Sequence, residues 1–156
     1  MTTTLIDQAI DAFVAIVTTT PEATGGVYED RAQAFTVDQD KAIDITLREA
    51  DGRTLGDNHP LRSVLATVVQ IELAIYTRSA INSAGVEQSA RKLSNPIWAS
   101  AHARLMADPT LGGLAARVSW KRASWRRENA DGNAGWASHT YEITLAMRER
   151  NLLTPL

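Results

Sequence analysis

His59, His102 and His139 are the side chains best suited to bind a transition metal or to move a proton near neutral pH. They lie far apart in the chain, and none has a partner at the spacing of a zinc-binding HExxH pair. They read as surface or partly buried histidines. Asp38, Asp40 and Asp44 could suggest a cation site, but the downstream Gly and Glu of a calcium loop are missing. A solvated strand entry suits them better. Neither Gly25-Gly26 nor Gly112-Gly113 is followed by the Gly-Lys-Ser/Thr of a phosphate loop, and no Gly-x-Ser-x-Gly elbow is present. The chain has no cysteine, which excludes thiolate metal ligands, cysteine nucleophiles and disulfides. The expectation is a protein without catalytic residues, metal or cofactor.

The informative segment is 117–144, which holds three of the four tryptophans. Residues 117–127 carry five positive charges and no negative one: Arg117, Lys121, Arg122, Arg126 and Arg127. Trp120 and Trp125 are five positions apart. Strand alternation therefore puts them on opposite faces unless a bulge intervenes. Trp136 falls on the polar face of the next strand. Three readings compete. The Trp and Arg side chains could stack bases and track phosphates of a single-stranded nucleic acid. They could form a protein–protein interface, where exposed Trp and Arg are enriched. Or the arginines could cover the tryptophan rings on a solvated sheet.

Certain elements must position these residues. Leu5, Ile6, Ala9, Ile10, Phe13, Ile16 and Val17 recur at helical spacing, with a threonine of residues 2–4 as N-cap and Pro21 beyond the end. Val27–Val37 reads as a strand broken by polar residues. Residues 41–49 and 63–78 alternate, the latter with Leu65, Val69, Ile71, Leu73 and Ile75 on one face. From Ala84 the period turns helical, with Val86, Ala90, Leu93, Ile97, Ala101 and Leu105 on one stripe. Pro96 either kinks this helix or starts a second one capped by Asn95. Residues 117–127 and 135–147 are the last two strands, joined by a turn-rich loop. Tyr141, Ile143, Leu145 and Met147 face inward there.

The 156 residues make one domain, 1–156. Of the apolar residues 24 are Ala, which leaves 45 larger ones, enough for a single core. The net charge of −2 hides an asymmetry. Residues 1–60 hold 11 acids and 4 bases, and residues 61–156 hold 7 acids and 12 bases. The front is thus −7 and the rest +5. An acidic front disfavours a nucleic-acid groove and favours self-association, acidic surface to basic surface. The N-terminus lacks a basic region and its apolar stretch is broken by Asp7 and Asp11, so it does not read as a signal peptide. No apolar run is long enough for a membrane span.

The segment also resembles a known family. Trp125-Arg126-Arg127, then Asp131 in the loop, Gly135-Trp136, Ser138, Tyr141 and Ile143-Thr144 resemble the minor tail protein U family of long-tailed phages, the tail terminators. Met106, Asp108, Pro109 and Leu111 look like the end of that family's second helix. The resemblance implies an α+β domain, order α-β-β-β-α-β-β, with two helices packed on a mostly antiparallel sheet. It implies a homo-hexameric ring that caps the tail tube, stops its polymerisation and presents a surface to head-completion or connector proteins. No bond is made or broken. The location implied is the head-proximal end of the virion tail, and the host cytoplasm during assembly. Arg122, Arg126 and Arg127 are then expected to meet acids of a neighbouring subunit or of the tube, with Trp125 and Trp136 as apolar anchors. Alternatively, Arg126 and Arg127 stabilise the hairpin itself through Asp131 and Glu128. Other readings are a different ring-forming head–tail joining or tail completion protein, or a single-stranded nucleic-acid-binding module.

Overall fold

The structure is a computed structural model and describes residues 3–54, 64–128, 133–148 and 151–155. The first helix, α1, spans Leu5–Thr18. Thr4 caps it reciprocally: the Asp7 amide donates to Thr4 Oγ1 at 3.2 Å, and the Thr4 amide donates to Asp7 Oδ2 at 3.1 Å. Its end follows from the threonine run. The Thr18 and Thr19 hydroxyls each donate to a carbonyl of the last turns, Val14 and Ile16, at 2.7 Å. Leu5, Ala9, Ile10, Phe13 and Val17 are buried, which is the stripe expected from the spacing.

The expected strand over Val27–Val37 is cut short. β1 covers only Val27–Glu29, because Asp30 takes a left-handed conformation with φ of 45° and turns the chain out of the sheet. A 3₁₀ turn at Val37–Gln39 leads back to β2, Ala42–Thr54, which pairs antiparallel with β3, Val64–Arg78. The helical stripe also begins later than expected. Ala80–Ile81 (β4) and Glu87–Gln88 (β5) form a small hairpin, turned by Gly85 at φ +74°, and Val86 is 58% exposed on it. α2 runs from Ala90 to Ala107 with Ser89 as N-cap, and it is continuous through Pro96. Pro96 and Lys92, whose carbonyl loses its usual helical donor, both lie on exposed positions where water can replace that bond. The Thr77 hydroxyl donates to the Ala90 carbonyl at 2.6 Å and ties the start of α2 to β3.

The last strands are β6, Arg117–Arg127, β7, Ala134–Arg148, and a short β8, Asn151–Pro155, which pairs with the end of β7. The sheet order is β1-β2-β3-β7-β6, antiparallel except for β1 with β2. Both helices pack on one face of this sheet. Ile43, Ile45, Val69, Ile71, Leu73, Ile75, Tyr141, Ile143 and Leu145 point into that layer and are buried with Phe13, Ile97 and Leu105. Phe13 meets Tyr141 edge to face, ring centroids 5.6 Å apart. The architecture is the expected α+β one. The small strands β4, β5 and β8 are additions to the expected order. Among the described residues, no helix is long and apolar enough to cross a membrane.

Candidate functional site

The β6–β7 hairpin carries most of the residues singled out by type. Its register decides where they point. Trp120 pairs with Tyr141 and Arg122 with Thr140, so Lys121 is an extra residue in β6 and the ladder has a bulge there. The bulge resets the alternation. Trp125 then pairs with Ala137, and both Trp120 and Trp125 point to the helix side of the sheet. Simple alternation would have put them on opposite faces. α2 lies over β7 and β3 and leaves β6 largely uncovered. Trp120 and Trp125 therefore remain 41% and 37% exposed. Gly135 is needed beneath Trp125, since a Cβ there would lie 2.4 Å from the indole.

Trp136, Arg122 and Arg126 point to the opposite, open face. The Trp136 ring packs against Phe35 and Tyr76, with centroids 5.3 and 5.2 Å away. Its Nε1 donates to Glu128 Oε2 at 3.0 Å, and the Arg126 guanidinium stands 5.6 Å over its ring. This indole is half-buried and holds the loop after β1 against the sheet. Arg31 closes the same cluster over Tyr28 and Phe35, at 4.4 and 4.7 Å. Arg127 turns to the helix side, where it lines a cleft of about 420 Å³ with Trp125, Arg91, Glu87 and Ser79. Asp131 lies outside the described residues. Thus Arg126, Trp136 and Glu128 come together within the hairpin, and Trp125 and Arg127 sit on its other side.

The open face is electrically graded. Asp44, Glu49 and Asp51 of β2, Glu72 of β3 and Glu142 of β7 share it with Arg117, Lys121, Arg122 and Arg126 of β6. Arg48, inserted by a second bulge in β2, pairs with Glu72 at 2.6 Å, and Lys121 pairs with Glu142 at 2.8 Å. Among the described residues, no carboxylate lies within ion-pair distance of Arg122, Arg126 or Arg127. Acid gathers toward the β2 edge and base toward the β6 edge. Partial burial raises the Asp44 pKa, and the Arg31 amide bonded to it acts in the opposite direction.

On the helix side, two histidines that are distant in sequence meet around Tyr141. The Tyr141 hydroxyl accepts from Trp98 Nε1 at 3.1 Å and lies 3.0 Å from His102 Nδ1. Burial pushes its pKa up to about 12. His139 stacks flat on Trp98 at 4.6 Å. Burial first, and then the neighbouring His102, push its pKa down to about 4, so it is neutral at physiological pH. Its Nδ1 is buried without a hydrogen-bond partner among the described residues. Sequence reasoning treated these histidines singly. The signal was the shared parity of His139 and Tyr141 on β7. Among the described residues, no three His, Asp or Glu side chains are grouped to hold a metal.

No family model matches the chain, and no curated protein matches it. Among solved structures, it is similar to a chain from the virion of a native gene transfer agent particle. The identity is 13%, 92% of each chain is covered, and the TM-score is 0.40.

Proposed function

We propose that this chain is a structural subunit of a phage-like virion, a tail terminator. It assembles as a homo-hexameric ring on the last ring of the tail tube, prevents further addition, and offers its other surface to head-completion proteins. It works by binding and breaks no bond. Its place is the head-proximal end of the tail, after assembly in the host cytoplasm. Two things support this reading. One is the run from Trp125 to Thr144, which resembles the terminator family. The other, which carries most weight, is the sheet with acid at one edge, base at the other and two exposed tryptophans beside the basic edge. A ring needs two unlike surfaces on each subunit that match each other, and a graded sheet supplies them.

A single-stranded nucleic-acid role is less well supported. Glu72 and Glu142 of the open face are paired with Arg48 and Lys121, so the acids and bases there balance and only the β6 side offers cations to a phosphate chain. The test is electron microscopy of the purified protein with polymerising tail tube protein. Tubes that stop growing and carry a ring at one end support the reading. Tubes whose length distribution is unaffected by the protein refute it. Affinity for single strands that falls steeply with salt would favour the other class.

A further inference from the structure

We infer that the cleft between the start of α2 and the end of β6 receives the Val37–Asp38 turn of a second copy of this chain, with the Asp38 carboxylate between Arg91 and Arg127 and the Val37 side chain against Trp125. The inference rests on the ring-forming reading only in taking a second copy as the occupant.

The cleft is suited to an anion beside an apolar group. Arg91 and Arg127 line it, and among the described residues neither has an ion pair. Glu87 is the acid of the lining, and Lys92, in the same turn of α2 as Arg91, offsets it. The first turn of α2 holds no acid, so its amide dipoles add to the positive potential instead of meeting a local carboxylate. Trp125 forms an apolar wall, 37% exposed, and Ile81, on the hairpin that borders the cleft, is 73% exposed. Past Arg91 and Trp125 the cleft continues as a groove of about 230 Å³ toward His139. That imidazole is 7% exposed and its Nδ1 has no partner among the described residues, so the lining holds a polar group that its own fold leaves unsatisfied.

The turn has the complementary chemistry. Val37 is 66% exposed, and Asp38 beside it is exposed with no hydrogen bond or ion pair among the described residues. The turn is nonetheless braced. Gln39 Oε1 accepts from the Thr36 amide at 3.1 Å and from Arg31 Nη2 at 2.9 Å, and Gln39 Nε2 donates to the Tyr28 hydroxyl at 3.1 Å. A rigid tip loses little entropy on docking. Residues 29–41 carry four acids and two bases, so the tip meets the cleft with net negative charge. Turn and cleft lie at one end of the sheet. Asp40 Oδ1 accepts from the Arg78 amide at 2.8 Å, which ties the turn to the end of β3, and Ser79, the next residue, lines the cleft. They face opposite ways. The loop that carries the turn packs on the open face through Phe35, against Tyr76 and Trp136, and the cleft lies on the helix side. Each copy thus has one inserting and one receiving surface at the same height, the heterologous contact that rotation about an axis repeats into a closed ring.

The test is a charge exchange. D38K puts cations on both turn and cleft, and R91E/R127E puts acids on both. Each variant alone should lose self-association, by at least about tenfold in sedimentation equilibrium, because like charges then face each other. Mixed one to one, the variants set acid against base at every junction of an alternating assembly, and association should return. Circular dichroism of each variant separates misfolding from lost contact. As a second measurement, V37C and A123C place single thiols on the tip of the turn and on the wall of the groove, in a chain with no other cysteine. A short bis-maleimide should link the mixed pair more than either like pair. Wild type that stays monomeric at about 1 mM overturns the inference, as does assembly indifferent to reversal or mixed cross-linking no better than like cross-linking. Rings that form normally in the reversed variants would remove this contact and leave the ring reading intact. Charge-dependent association without any ring, free or on tubes, would remove the ring reading and leave this contact.

Discussion

His139 should make stability depend on pH in a defined window. Its imidazole is 7% exposed and lies flat against Trp98, with its pKa pushed down to about 4 from an ordinary value of 6.5. Between those values the unfolded chain binds a proton that the folded chain does not. The folded state therefore loses stability as pH falls from 6.5 toward 4, and the group contributes no pH dependence above that range. One pKa unit is about 1.4 kcal/mol, so the full difference is about 3 kcal/mol, of which about 2.5 is lost by a pH of about 4.5. That is a large share of a domain stability of about 5–15 kcal/mol. Urea unfolding followed by tryptophan fluorescence can measure it in wild type and in His139→Leu, which cannot titrate. Carboxylates such as Asp44, whose raised pKa acts in the opposite direction, are common to both proteins and cancel in the comparison. Wild type should lose about 2.5 kcal/mol more than the variant between pH of about 7.5 and 4.5. Parallel profiles, within about 0.5 kcal/mol, would mean that water reaches the imidazole and that its burial has been misread.

Other substitutions test the packing around the same hairpin. Gly135→Ala puts a methyl 2.4 Å from the Trp125 ring and should cost about 1–3 kcal/mol in urea unfolding, with a shift in tryptophan emission as that ring is displaced. Tyr141→Phe leaves the Trp98 N–H and His102 Nδ1 without their shared oxygen and should cost about 1–3 kcal/mol, measured in the same way. Thr4→Ala removes the reciprocal cap of α1 and should cost about 1 kcal/mol, read from the thermal midpoint. Arg126→Ala removes a stacked cation from Trp136 at an exposed site and should change monomer stability by no more than about 1 kcal/mol.

Much of the fold was legible along the chain. The period of α1, the alternation of β2, β3 and β7 and the turn residues between them are local properties, and tertiary packing agreed with them. Where the reading missed, a conformational or long-range event intervened. β1 ended early because Asp30 turned the chain with a positive φ, and Val86 left the α2 stripe because Gly85 made a hairpin before the helix. The hairpin residues were picked out by type, as a Trp- and Arg-rich strand followed by Gly-Trp. Their facing was not legible, because one extra residue at Lys121 reverses every side chain beyond it.

Sequence alone determined that this chain has enough larger apolar residues for one core, a helical period at its start and after Ala84, long alternating strands, no cysteine chemistry, and charge split between an acidic front and a basic hairpin. These follow from composition and period, which each residue carries with it. Tertiary structure alone decided that β2 and β6 lie toward opposite sides of one sheet, so that a split along the chain becomes a gradient across a surface. It alone engaged Trp136 internally while leaving Trp120 and Trp125 exposed, and it brought His102 and His139 together at Tyr141. Strand order and register arise from contacts between residues far apart in the chain, and no local pattern encodes which edges remain unpaired.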